Sequence, residues 1–309
     1  MKALLFGIFK ILFTTFIVAS ITFCLMHLVP GSPFSQNKAL PKEILFNLEA
    51  KYHLNEPIYK QYIFYFIGLL KGDLGPSLKY VNRSVNEILF SALPVSLTLG
   101  CLALLISVPL GLFAGILSAV LSHTKIKNKI GYLGNVLVIL ITCGVSIPTF
   151  LIGTLLINIF GLKLKILPVA LWESPYHMIL PAITLSFLPM AYIARIIRSQ
   201  MLEQFGEDYI RTALVKGLSF NKIIYKHAFK NCLVSVVTIL GPIIAILITG
   251  SFVVEYIFAI PGMGRYFITA FTNRDYFLIS GTAIIFSFIL TTLNVIVDGL
   301  YRKIDPRIN

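Results

Sequence analysis

Histidine, cysteine and carboxylate are the side chains from which most catalytic and metal sites are assembled, and in this chain they are dispersed. His27, His53, His123, His177 and His227 stand isolated from one another, and Cys24, Cys101, Cys143 and Cys232 fall singly in or beside apolar runs. Without a CxxC pair neither a zinc site nor a disulfide scaffold is indicated, so the cysteines read as small buried hydrophobes. Neither His-Glu-x-x-His nor Gly-x-Ser-x-Gly occurs. The dipeptide Gly-Lys is absent, and with it any P-loop for nucleotide phosphates. Proton or ion relays through a membrane rely on ionisable groups inside it. Here the apolar interiors hold none, and Glu255 and Asp298 lie only at their ends. Catalysis by this chain is therefore not expected, no cofactor or metal is expected on it, and a proton-coupled mechanism loses support.

One polar segment, 199–231, has a pattern that could do work. Glu207 and Asp208 put negative charge where a helix would start, Tyr209 to Lys216 are mostly good helix formers, and Gly217 sits where a left-handed C-terminal cap would stop it. Ser219 can then cap a second helix. In it Phe220, Ile223, Ile224 and Ala228 form one stripe, while Lys222, Lys226 and Lys230 recur every fourth residue. A helix, a glycine hinge and a second helix of this kind suit either docking of a partner protein or adsorption to anionic lipid headgroups. A lone glycine, by itself, usually does no more than end a helix.

The elements that must carry this segment are membrane spans. With 57% hydrophobic and 13% charged residues among 309, the chain cannot clothe a soluble globule of its size. A hydrocarbon core of about 30 Å takes roughly 20 apolar helical residues. Six runs qualify: 11–29, 93–121, 130–160, 178–194, 232–254 and 277–297. The third is long and the fourth short, so a tilt or break is expected there. Pro148, Pro181 and Pro189 are expected as kinks without a ligand role. The N-terminal apolar run is longer than a secretory h-region, and His27, Val29 and Pro30 lack the small-residue cleavage pattern, so it is expected to remain as a span.

The excess of 26 basic over 13 acidic residues is explained by orientation rather than by nucleic acid, since no soluble basic domain exists to carry it. With a cytoplasmic N-terminus, Lys2, Lys10, Lys125, Lys127, Lys129, the basic residues of 195–230 and the tail with Arg302, Lys303 and Arg307 all lie inside. Only Lys163, Lys165, Arg265 and Arg274 lie on the two short outer loops, a strong positive-inside bias. Both termini are thus cytoplasmic. The long outer segment 30–92 has helical spacing at Ile44, Leu45 and Leu48 after Pro41, then an amphipathic stretch from Tyr59 to Leu70 and the turn cluster Lys71-Gly-Asp-Leu-Gly-Pro76. It is expected to form a small helical cap. The organisation is an N-terminal span (1–29), an outer cap (30–92) and a five-helix core (93–309) bearing the cytoplasmic loop at 199–231. Trp172 reads as an interfacial anchor, and Glu255 as an interfacial marker or a partner of Arg265.

The residues Asp208-Tyr-Ile-Arg-Thr-Ala-Leu-Val-Lys-Gly-Leu218 and Tyr225-Lys-His-Ala-Phe-Lys-Asn231 resemble the EAA loop of ABC importer permeases, in the form typical of the dipeptide, oligopeptide and nickel branch. Arg211-Thr212-Ala213 stand where the general motif has Glu-Ala-Ala, a departure characteristic of the peptide branch. The likeness runs through Leu28-Val-Pro-Gly-Ser-Pro33, Gly72-Asp-Leu-Gly75, Ser146-Ile-Pro-Thr-Phe150, Ile179-Leu-Pro-Ala-Ile-Thr-Leu185 and Ala194-Arg-Ile-Ile-Arg198. It continues in Val254-Glu-Tyr-Ile-Phe-Ala-Ile-Pro-Gly-Met-Gly264, Asn273-Arg-Asp-Tyr276 and Ile304-Asp-Pro-Arg307. Leu48-Glu-Ala-Lys-Tyr-His-Leu-Asn-Glu-Pro57 and Pro30-Gly-Ser-Pro-Phe34 look closest to the B-type subunits of oligopeptide permeases.

The resemblance implies an all-α polytopic bacterial inner-membrane protein with six transmembrane helices of the type I ABC importer permease fold. It would form half of a translocation path for oligopeptides. It also implies partners: a second homologous permease, two ATPase subunits that hold ATP and magnesium, and an extracytoplasmic peptide-binding protein, with membrane lipid around them. The residues implied to meet the ATPase are Asp208, Tyr209, Arg211, Thr212, Ala213, Lys216, Gly217, Ser219, Phe220, Ile223, Ile224 and His227, with Phe220, Ile223 and Ile224 as the main apolar contact. The outer cap and 258–275 would face the binding protein, and the fourth to sixth spans would line the path. Import of nickel chelates, glutathione or microcin-like peptides by the same architecture is the alternative within the superfamily. A stand-alone secondary transporter or channel is the alternative outside it.

Overall fold

Long apolar runs leave a backbone in lipid few choices, because each N–H and C=O must find its partner within the segment or its neighbours, and the chain answers with helices. The computed structural model describes residues 2–28, 55–80, 82–123, 129–249 and 251–304. In chain order the helices are α1 (Lys2–Leu28), α2 (Ile58–Leu70), α3 (Val85–His123), α4 (Lys129–Ser146), α5 (Thr149–Leu156), α6 (Pro175–Gly206), α7 (Asp208–Val215), α8 (Phe220–Lys222), α9 (Phe229–Thr249), α10 (Phe252–Ile257), α11 (Met263–Asn273) and α12 (Tyr276–Ile304). π-Helical turns follow α5 (Ile157–Lys163) and join α8 to α9 (Ile223–Ala228). The helix expected after Pro41 lies outside the described residues.

Helices α1, α3, α6 and α12 are each long and apolar enough to cross a bilayer. Helix α9, at 21 residues, reaches about 30 Å at 1.5 Å per residue and supplies the fifth expected span. The long third span breaks as expected: Val136–Ser146 and Thr149–Lys163 meet at 106°. Pro148 is the residue preceding α5, so it marks a boundary rather than kinking a helix, because its ring carries no N–H to continue the ladder. The fourth span differs from the short run read in the sequence. Helix α6 is 32 residues long and continuous through Pro181 and Pro189, extended by polar residues beyond the apolar stretch. Its start explains His177: the Ser174 backbone N–H donates to His177 Nδ1 at 3.2 Å, with Pro175 in the first turn.

The chain divides into two contact units, Met1–Ser96 with Pro261–Thr292, and Leu97–Ile260 with Leu293–Asn309. In the second unit α6 is the central element, packed against α4, α5, α7, α9 and α10. Leu180, Ile193, Ile197 and Met201 are fully buried along it. Helix α3 approaches α6 through Gly111 and Gly115. A Cβ there would stand 2.8 Å from the Met190 carbonyl and 2.6 Å from the Ala194 carbonyl, so only glycine permits this crossing. Gly111-Leu-Phe-Ala-Gly115 is a small-xxx-small pattern that periodicity alone does not single out.

The first unit is knotted around Asp275. Helix α11, an element not foreseen within 258–275, ends on Arg274 in the left-handed region (φ 56°). Its turn closes with Arg274 N–H donating to the Phe271 carbonyl and Asp275 N–H to the Ala270 carbonyl. The Asp275 carboxylate is completely buried. One oxygen accepts from the Ser77 hydroxyl (2.5 Å) and the Leu78 and Lys79 N–H groups (3.1 and 3.2 Å); the other accepts from Leu278 N–H (3.2 Å) at the start of α12. In the same unit α2 packs on α1, and a cavity of 280 Å³ lined by Phe23, His27, Tyr65, Leu74 and Phe277, among others, lies beside them.

Candidate functional site

The segment after α6 folds as a helix, a left-handed turn and a second helix. Helix α7 starts at Asp208, where the acidic pair was read, and closes at Gly217 (φ 78°). Gly217 N–H donates to the Leu214 carbonyl (3.0 Å) and Leu218 N–H to the Ala213 carbonyl (3.2 Å), the two bonds of a Schellman turn. A Cβ on Gly217 would meet no atom within 4 Å. The requirement for glycine there comes from the backbone conformation rather than from crowding. Ser219 precedes α8, but its side chain makes no capping hydrogen bond; its carbonyl accepts Ile223 N–H at 3.1 Å. After the three residues of α8 the second helix passes through a π turn, a feature that recurs at functional positions and leaves no simple trace in sequence periodicity.

Burial divides the residues of this segment into two sets. Ile210, Ala213, Ile223, Ile224 and Ala228 are buried within the chain, so they hold the loop against its own bundle. The expectation that Ile223 and Ile224 form an outward apolar contact is corrected, since they are 0% and 5% exposed. Phe220 is half-buried and belongs to an aromatic cluster with His123 and Phe205, ring centroids 4.7 to 6.2 Å apart. The exposed set is Asp208, Tyr209, Arg211, Thr212, Lys216, Gly217 and Ser219, with Lys222, Lys226 and Lys230 as expected; His227 is half-buried. The exposed apolar residues, Val215 at 89%, Tyr225 and Leu214, lie within the 211–227 stretch that the resemblance assigns to the ATPase but were not singled out in it. Their position on α7 and its neighbour, off the buried stripe, was the available signal.

A polar clasp holds the first helix to the second. Tyr209 hydroxyl donates to Gln204 Oε1 (2.5 Å), and Asn231 Nδ2 donates to both Gln204 Oε1 (3.2 Å) and the Tyr209 oxygen (3.1 Å). Burial pushes the Tyr209 phenol above its ordinary value of 10, against the opposing effect of the Asn231 hydrogen bond. The Asp208–Arg211 pair is 3.5 Å apart and largely solvated, a contact of little energetic weight.

Glu255, read as lying at a span end, is fully buried. It accepts a short hydrogen bond from the Ser251 hydroxyl, and Ile260 N–H donates to its carbonyl at 2.8 Å. Asp298 is exposed. Among the described residues, His, Cys, Asp and Glu form no cluster able to hold a metal ion.

An apolar helical bundle with a central 32-residue helix that carries an exposed two-helix loop is the architecture of a type I ABC importer permease. Residues 107–309 match the family described as binding-protein-dependent transport system inner membrane component, and the chain belongs to that family. It is 45% identical over 295 residues to the dipeptide transport system permease protein DppB of Bacillus subtilis, covering 96% of this chain and 94% of that one. It is 41% identical over 297 residues to the oligopeptide transport system permease protein OppB of Escherichia coli K12, covering 96% and 95%. Among solved structures it resembles an inward-facing MetNI methionine ABC transporter chain, with TM-score 0.53 and 15% identity over 71% of this chain and 96% of that one. The chain is a multi-pass membrane protein.

Proposed function

We propose that this chain is a permease subunit of an ATP-driven importer whose substrates are oligopeptides, and that it takes its energy from separate ATPase subunits docked on α7 and the turn at Gly217. The observation that carries the reading is the exposed helix–turn–helix mounted directly on the C-terminal end of α6, the most central helix of its unit. A force applied to α7 is transmitted through the buried Ile210, Ala213, Ile223 and Ile224 into α6 and α9, so the loop can convert motion of a docked partner into tilting of spans. Asp208, Tyr209, Arg211, Thr212, Lys216, Ser219 and the exposed Val215 and Tyr225 form the contact surface. The peptide substrate is supported by the names of the dipeptide and oligopeptide relatives, which match the chain over nearly its full length.

The complete transporter contains a second, homologous permease, two ATPases binding ATP and magnesium, and an extracytoplasmic peptide-binding protein; this chain binds no nucleotide. Both termini, 125–129 and the loop at 199–231 face the cytoplasm of a bacterial inner membrane, in accord with the distribution of Lys and Arg. Isolation of the native complex and reconstitution in vesicles tests the reading. ATP-dependent uptake of peptide with the co-isolated subunits supports it, and uptake driven by an ion gradient without ATPase subunits overturns it. Orientation is checked with single cysteines at Lys127 and Lys60 in a cysteine-free background: an impermeant thiol reagent applied from outside should label position 60 alone.

A further inference from the structure

We infer that α2, which the sequence assigns to a cap, descends obliquely beside α1 into the leaflet that is outer in the orientation proposed above, with its outward face against lipid acyl chains. Thirteen residues make a helix of about 20 Å, too short to cross a hydrocarbon core of about 30 Å. Both of its ends are tied to the same side of the membrane. At the start, Gln61 meets His27 Nε2 in the last turn of α1 (3.0 Å); after its end, Asn86 in the first turn of α3 accepts from Leu74 N–H and donates to the Gly72 carbonyl (2.9 and 2.7 Å). Helices α1 and α3 are consecutive spans, so the end of one and the start of the next share a membrane surface.

Between those anchors α2 runs down the apolar side of α1. Tyr62 meets Ser20 (2.9 Å) and Phe23, and Phe66 reaches Phe16 (5.1 Å between centroids). Phe16 lies about 16 Å below His27 along the helix axis. The face turned away from α1 carries Ile63, Ile67 and Leu70, exposed by 52%, 44% and 88%. On α1 itself Phe13, Ile17 and Ile21 are likewise exposed and apolar. A helix apolar on both faces belongs in hydrocarbon, not water. Its charges sit only at the extremities, Glu56 paired with Lys60 at 3.0 Å on one side and Lys71 and Asp73 on the other. The middle of the helix, Tyr62 to Leu70, carries no charge, as a segment packed into hydrocarbon requires. Lipid therefore occupies this face, leaving the turn 71–80 and α11 as the outer surface open to a soluble partner.

Spin labels on single cysteines at Ile63, Ile67 and Leu70, with Lys60 and Lys71 as end markers, test the inference in the intact complex reconstituted into phosphatidylethanolamine/phosphatidylglycerol nanodiscs. The expected result is an oxygen-to-nickel-chelate accessibility ratio several-fold higher at Ile63 and Ile67 than at Lys60. Equal access of the aqueous nickel chelate at all positions overturns the inference by placing the face in water. Poor access by both reagents at Ile63 and Ile67 also overturns it, because another protein subunit then covers the face.

Discussion

Two of the turns in which a left-handed residue follows a short helix, one after α11 on the side proposed as outer and one after α7 on the side proposed as inner, are secured in opposite ways. At the outer turn the left-handed residue is Arg274, an unfavourable choice costing on the order of 1–2 kcal/mol in backbone terms. It is held because the next residue, Asp275, buries a carboxylate that accepts four hydrogen bonds from Ser77, Leu78, Lys79 and Leu278. At the inner turn the residue is Gly217, which adopts φ 78° without strain and has open space where a Cβ would stand. The outer turn is locked by directional bonds in a buried site. The inner one is seated by an apolar plug and otherwise left open. Rigidity sits where the chain ties its own distant segments together, and freedom at the turn proposed to meet the ATPase.

The largest test of the contrast is Asp275→Ala, which strips four donors of their acceptor. Loss on the order of 3 kcal/mol is expected, read as a lowered unfolding temperature of the detergent-solubilised complex, with Asp275→Asn intermediate because one acceptor oxygen survives. An unchanged melting temperature in Asp275→Ala would remove the lock from the account.

Gly217→Val should cost about 1–2 kcal/mol through backbone conformation alone, leave the spans inserted, and reduce co-purification of ATPase subunits together with peptide uptake. Gly217→Asn, which tolerates the left-handed region, should retain both. Equal failure of the two would mean that bulk at the partner surface, not backbone strain, is decisive.

Tyr209→Phe opens the polar clasp and should destabilise the loop by about 1 kcal/mol. Because the folded phenol titrates above 10, its contribution is complete below pH 10 and fades as pH rises from there through the higher folded-state value. The phenylalanine variant should lack that alkaline decline when proteolysis of the loop is followed against pH.

The smallest effect is expected from Lys222→Gln with Lys226→Gln. Both lysines are exposed, and the pair should alter stability by less than about 0.5 kcal/mol while lowering any attraction to anionic vesicles. If this double variant loses ATPase docking while Gly217→Val keeps it, the inner turn works as an electrostatic surface and the comparison of hinges fails.

What the sequence by itself determined was everything governed by local periodicity and solvent. Apolar length specified the spans, and Glu207-Asp208 with Gly217 specified where α7 begins and ends. These depend on neighbours within a turn or on transfer to lipid, and both are written along the chain. Tertiary structure alone decided which face of each helix is used. Ile223 and Ile224 look like a docking stripe in one dimension, but α6 and α9 offer them a closer apolar partner. The two prolines inside the continuous α6 are both buried against neighbouring elements, and Gly111 and Gly115 matter only because α6 presents carbonyls at that point. Asp275 and Ser77 are nearly 200 positions apart, and α2 reads as a cap helix until α1 is seen beside it. Burial and hydrogen-bond pairing are properties of the neighbours a residue meets in space, and for these residues those neighbours are remote in sequence.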